Sequence, residues 1–276
     1  MKTKNIKELE KISKQARSLL IETLVCAGCG HPGGALSCMD ILTVLYFDIL
    51  KIDPKNPKWE ERDRFILSKG HSSIGLYSIL HLRGFLDKKT LLTFRQDGSS
   101  LCGHPDMNKV PGVEMSTGSL GHGLSVGIGL ALAAKKDNQK HRVFVLMGDG
   151  ETQEGSVWEA AMFAAHHKLD NLTAIVDRNK IQIDGFTEDI LALEPYKAKW
   201  EAFGWQVEEI DGHNMEQIQK ALIKKSSGKP LLVLANTIKG KGISFMENNP
   251  AWHGGGLKGD LIEIATREVT QALEKE

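Results

Sequence analysis

The chain has 276 residues, 41% of them hydrophobic, and carries 35 basic against 35 acidic side chains for a formal charge of zero. That leaves room for one large or two small domains with a sizeable core, and nothing in the whole-chain field argues for a nucleic-acid or membrane partner. No apolar run approaches membrane-spanning length and the N-terminus lacks an apolar signal core, so a cytoplasmic location is expected.

The apolar spacing of Ile6, Leu9, Ile12, Ala16, Leu19 and Leu20 predicts a helix over 5–27, followed by a loop at 28–34. Cys26 and Cys29 have CxxC spacing, but no second pair or His-rich partner follows, which favours reduced thiols over a redox or zinc site. A helix over 36–50, a Pro-bearing linker at 53–57 and a short strand at 64–67 come next. After a long loop over 96–120, the helix over 122–136 is unusually small-faced, with Gly123, Gly127, Gly129, Ala131, Ala133 and Ala134. Close packing against a sheet or a subunit is the favoured reading of that face.

Val143 to Met147 and Leu172 to Val176 are short, apolar and β-branched, as strands buried on both faces should be. Between them the spacing predicts a helix over 154–167, with Val157, Ala161, Ala164 and Ala165 on one stripe, which makes a right-handed crossover unit. A loop over 178–191, strands over 205–210 and 230–235 around a helix at 214–225, a loop over 236–256 and a closing helix complete the chain. The sum is a doubly wound α/β fold, one domain over 1–276, with a mainly parallel sheet of about five strands flanked by helices.

Gly148-Asp149-Gly150 follows the last apolar residue of one predicted strand, and Asn179 follows another, so both sit on the rim where such sheets bind ligands. A carboxylate with an amide oxygen supplies the protein's share of ligands for a hard cation such as Mg²⁺ bridging a diphosphate, and flanking glycines let backbone approach the phosphate. Four histidines, His31, His71, His104 and His253, lie in glycine- or proline-marked loops rather than on apolar faces. Imidazole donates, accepts and titrates near neutral pH, so several converging on one pocket suit proton handling at hydroxyl and carbonyl groups. Lys69 and Lys239 also stand in Gly-bearing loops, where an ammonium could reach a phosphate.

Together these segments resemble the N-terminal, diphosphate-binding part of transketolase, a thiamine-diphosphate enzyme. The resemblance is carried in order by Gly30-His31-Pro32-Gly33, Asp63 to His71, Gly103-His104-Pro105, Thr117 to Gly121, Gly148 to Glu159, Lys168 to Leu172, Thr237 to Gly240 and Trp252-His253-Gly254. It implies thiamine diphosphate with Mg²⁺, for which Ca²⁺ or Mn²⁺ could substitute, held by Asp149, Asn179 and the Ile181 carbonyl. Gly148 and Gly150 would lie against the diphosphate, His71, Lys239 and His253 would approach diphosphate or substrate, and Gly118, Ser119 and Leu120 would pack near the cofactor rings. His31, His104 and His253 would bond ketose hydroxyls and move protons, and Glu154 would stand at a dimer contact. The implied reaction passes a two-carbon ketol unit between sugar phosphates.

The chain departs from the family's pattern at Cys29, Gly34 and His122, and it ends where full-length relatives continue into a pyrimidine-binding and a third domain. The expectation is therefore the N-terminal subunit of a split transketolase, completed by a C-terminal subunit on a separate chain as a dimer of heterodimers. A split relative for a sulfosugar or branched sugar phosphate is the nearer alternative. An α-type subunit of a 2-oxo acid dehydrogenase and a non-catalytic cofactor-binding module are the more distant ones.

Overall fold

The computed structural model describes residues 4–274, so the first three residues of the N-terminal stretch lie outside the described residues. Helix α1 (Ile6–Ala27) begins where the Asn5 side chain accepts from Lys7 N, and it ends at Gly28, whose left-handed backbone (φ 68) donates back to Leu24 O. The helix expected over 36–50 is broken instead. Pro32, with its φ preset for a first helical position, starts α2 (Pro32–Ser37) inside the expected loop, and the chain kinks at Cys38 before α3 (Met39–Val44). Ser37 Oγ and Cys38 Sγ both bond back to the Gly34 carbonyl, competing with the backbone ladder at the kink. Beyond it, Leu45–Ile49 winds as a π-helical turn.

Strand β1 (Arg64–Leu67), α4 (Ser73–Arg83), α5 (Lys88–Leu91) and α6 (Gly123–Lys136) lead into β2 (Val143–Gly148), α7 (Gly155–His166) and β3 (Leu172–Arg178). The expected loop over 178–191 contains the short α8 (Thr187–Ile190), and α9 (Tyr196–Ala202) follows it; the apolar spacing predicts neither. The chain closes with β4 (Gln206–Asp211), α10 (Met215–Ile223), β5 (Leu231–Asn236) and α11 (Asp260–Glu274). All five strands run parallel, in the order β1-β2-β3-β5-β4.

Strand residues alternate between two buried layers. Phe144, Leu146, Ile175 and Val233 pack beneath α1, α3, α4, α10 and α11. Val143, Val145, Met147, Ala174 and Val176 face the other way, into the layer built on α6, α7 and α9. Because both faces are covered, β1, β2, β3 and β5 read as apolar runs rather than alternating ones, whereas the edge strand β4 is polar and partly exposed. The small face of α6 meets the sheet, for a Cβ on Gly127 would stand 2.4 Å from Val145 Cγ2, whereas one on Gly129 would meet nothing. The register pairs Gly148 with Asp177 and Arg178 with Asn236, so the residues following three strands emerge together on one rim. No helix among the described residues is long and apolar enough to cross a membrane.

Candidate active site

Asp149 takes the first position beyond β2, with its carboxylate 2% exposed. Its Oδ1 accepts from Gly150 N at 2.8 Å and its Oδ2 from Lys180 N at 2.5 Å, which brings the turn after β3 against the turn after β2. Burial, together with the nearby charge of Asp177, pushes the Asp149 pKa up to about 6, while the two amide donors and Arg178 hold it down. Asn179 donates through Nδ2 to Asp177 Oδ2 at 3.0 Å and presents Oδ1 to Ile181 N at 3.1 Å, which fixes which end of the amide faces the rim. Among the described residues no group of three His, Cys, Asp or Glu side chains could hold a metal. The oxygen set is instead one carboxylate, one amide and the Ile181 carbonyl, the hard donors Mg²⁺ prefers. A cation already stands at that carbonyl, since Lys239 Nζ donates to Ile181 O at 2.8 Å.

Two acids that sequence reasoning misses hold this rim together. Asp177, fully buried in β3, accepts at Oδ2 from Lys69 Nζ at 2.6 Å, Asn179 Nδ2 and Ser37 Oγ, and at Oδ1 from Thr237 Oγ1. Burial alone would raise its pKa, but the Lys69 ammonium brings it below the usual carboxylate range; burial opposes the Lys69 charge too, and Asp177 more than compensates. Lys69 is thus a structural counter-ion that also donates to Gly34 O at 2.6 Å. Glu151, 3% exposed, accepts from Gly148 N and Gly121 N at 3.0 Å each and from Ser68 Oγ, pinning the glycine turns. The available signal was an acid inside an all-apolar strand, Asp177, and an acid among turn glycines, Glu151.

The four loop histidines converge. Ring centroids lie 5.4 Å apart for His31 and His71, 5.7 Å for His31 and His253, 5.1 Å for His71 and His253, and 6.4 Å for His31 and His104. His31 precedes α2, and its loop is tied to the His253 loop by paired backbone bonds, Gly30 N to Gly255 O at 2.9 Å and Gly255 N to Gly30 O at 2.8 Å. A Cβ on Gly256 would fall 1.9 Å from Gly28 O, so that crossing demands glycine. His71 lies in the 3₁₀ turn Gly70–Ser72 after β1. His104 is held through its carbonyl by Tyr77 Oη at 3.3 Å.

With Asp149, Asn179, Ile181, Lys239, Gly118, Leu120, Gly148, Gly150 and Glu154, these rings line a cavity of ≈ 390 Å³. Ser119 is not among the lining residues. Burial comes first among the causes that lower all four imidazole pKa values, with Arg95 and the Lys239 and Lys69 charges adding to it, and His253 falls to about 3. The rings are therefore neutral at pH 7. Lys239 is itself lowered to about 8 by burial and by Lys69, and its ammonium bonds His253 Nδ1 at 2.9 Å, leaving Nε2 as the protonated nitrogen. His31 Nδ1 and Gln182 Oε1, on two residues lining this cavity, are buried without a hydrogen-bond partner, as expected of a pocket shaped for a polar ligand.

An all-parallel sheet with oxygen donors and an ammonium on its carboxyl rim defines a doubly wound α/β domain that takes a phosphate-bearing ligand there. The family described as "Transketolase, thiamine diphosphate binding domain" matches residues 9–273, and the chain belongs to it. Over 272 residues the chain is 47% identical to one of the subunits of apulose-4-phosphate transketolase from Phocaeicola vulgatus, covering 98% of this chain and 96% of that protein. It is 46% identical to the SqwG subunit of 6-deoxy-6-sulfo-D-fructose transketolase from a Clostridium species, covering 98% and 97%. Among solved structures, transketolase from Campylobacter jejuni superposes with a TM-score of 0.91 at 39% identity, covering 97% of this chain. The chain spans 43% of that structure's length.

Proposed function

We propose that this chain is the diphosphate-binding, N-terminal subunit of a split transketolase, acting in the cytoplasm with a C-terminal subunit in a dimer of heterodimers. The observation that carries the reading is the gathering of His31, His71, His104 and His253 above the Asp149, Asn179 and Ile181 oxygens. Near end-to-end similarity to chains named as subunits supports the split.

The residues present fit thiamine diphosphate with Mg²⁺. Asp149, Asn179 and the Ile181 carbonyl would hold the cation, Lys239 and the Gly148 and Gly150 backbone would meet the diphosphate, and Gly118 and Leu120 would pack toward the rings. Bound there, the cofactor supplies the electron sink for cleaving and remaking the carbon–carbon bond next to a ketose carbonyl. The protein's share is to bind, orient and move protons. Neutral His31 and His104 can each accept from one sugar hydroxyl and donate to another, whereas His253, its Nδ1 already accepting from Lys239, offers only Nε2–H, as a donor. Glu154, exposed at the cavity's edge, is placed to meet a second subunit rather than substrate. A ketose phosphate of the pentose phosphate pathway is the first substrate reading. The names of the two relatives favour a second, a branched or sulfonated sugar.

The test mixes the purified chain with its partner, thiamine diphosphate and Mg²⁺ and offers ordinary, branched and sulfonated ketoses as donors. Ketol transfer by the mixture and by neither chain alone is expected. Robust transfer by this chain without a partner would refute the split.

A further inference from the structure

Arg178 closes β3 and is 2% exposed, a burial that is unfavourable unless the charge is paired. Its Nη1 donates to Thr187 Oγ1 at 2.9 Å and reaches Asp149 Oδ2 at a longer 3.4 Å. Its Nη2 donates to Glu188 Oε1 at 3.0 Å and Glu194 Oε1 at 2.9 Å. The guanidinium lies over the Tyr196 ring at 5.1 Å, and Tyr196 Oη meets Thr152 Oγ1 at 2.7 Å. Thr152 Oγ1 in turn donates to the Asp149 carbonyl at 2.7 Å. Side chain and main chain of Asp149 are thus both tied to one bracket, which also spans the segment presenting the Ile181 carbonyl, since Thr187 N donates to Lys180 O at 2.9 Å. The unequal distances matter as well. The two glutamates hold the guanidinium at short range, so it orients Asp149 from further off and leaves that carboxylate's charge available.

We propose that Arg178 is a positioning residue of the cation site, fixing Asp149 relative to the Ile181 turn, and that Glu188 and Glu194 hold its charge away from Asp149. The proposal rests on the cation reading given above.

The probe is Mn²⁺, titrated at saturating thiamine diphosphate into this chain mixed with its partner, with free Mn²⁺ read by electron paramagnetic resonance and folding followed by thermal denaturation. R178M is expected to weaken Mn²⁺ binding tenfold or more. The double variant E188Q/E194Q, which leaves the bracket's arginine free to engage Asp149 fully, is expected to weaken it three- to tenfold. A core variant, L20A, lowers the melting temperature without moving Mn²⁺ affinity and separates positioning from general loss of stability. Folded R178M that binds Mn²⁺ within twofold of wild type overturns the proposal. If R178M does not fold, unchanged affinity in E188Q/E194Q overturns it instead. A wild-type mixture that takes up no Mn²⁺ removes the cation reading itself, and this inference with it, whereas retained binding in the variants removes the inference alone.

Discussion

Replacing Asp177 by leucine tests what holds the rim. The variant strands the Lys69 ammonium, 2% exposed, and removes the acceptor used by Ser37, Thr237 and Asn179. Breaking a buried pair from one side costs about 3–5 kcal/mol, because the remaining charge is left uncompensated. For a chain of this size each kcal/mol moves the melting temperature by about 2–4 °C, so Asp177→Leu should lower it by roughly 6–20 °C. Lys69→Met should cost less, since Asp177 keeps three neutral donors. The double variant K69M/D177L should recover part of the loss, because no charge is then buried unpaired. Denaturant unfolding of wild type, both single variants and the double gives the coupling directly. A loss under about 1 kcal/mol for D177L, far below the range for a broken buried pair, or single losses that simply add in the double, would refute the argument.

Acid should destabilise the fold through its imidazoles. The rim histidines are lowered from 6.5 by burial, so at pH values between their folded pKa and 6.5 the unfolded chain binds more protons and stability rises with pH. The cost is absent above about pH 6.5 and grows as pH falls toward about 3, where His253 titrates. His253→Asn should flatten the acid limb of a stability–pH profile, and an unchanged slope would sink that assignment. On α6, Gly127→Ala should cost about 1–3 kcal/mol by overpacking against Val145. Gly129→Ala meets nothing and should gain up to about 1 kcal/mol of helix propensity. The reverse ranking in thermal denaturation would show that α6 packs through its other face.

The five strands were legible to within about two residues, four of them because burial on both faces makes them short apolar runs, while the edge strand β4 keeps three acids and a half-exposed face. The rim was legible too, since Gly148-Asp149-Gly150 and Asn179 mark strand ends. Less visible was anything resting on contacts distant in sequence. Asp177 is recognisable as a hub once Lys69, Ser37 and Thr237 surround it, and Arg178 reads as a surface cation until Glu188 and Glu194 close over it. The helix expected over 36–50 failed for a local reason, a proline that starts a helix earlier and side chains at Ser37 and Cys38 that bond back to it. Helix α9 escaped because its buried residues, Tyr196 and Trp200, are too few to set up a period.

The paired bonds between Gly30 and Gly255 join segments 225 positions apart, 255 minus 30, and they bring His31 beside His253. On the ribosome, the loop bearing His31 emerges while its counterpart is still untranslated. The oxygen-lined rim around Asp149 and Asn179 can be laid down midway through synthesis, but the ring of imidazoles cannot close until residue 255 has cleared the exit. Contacts of such sequence separation form slowly, because the chain entropy of the whole intervening loop is lost first. A nascent or truncated chain would therefore acquire its oxygen-lined rim before its imidazole cluster.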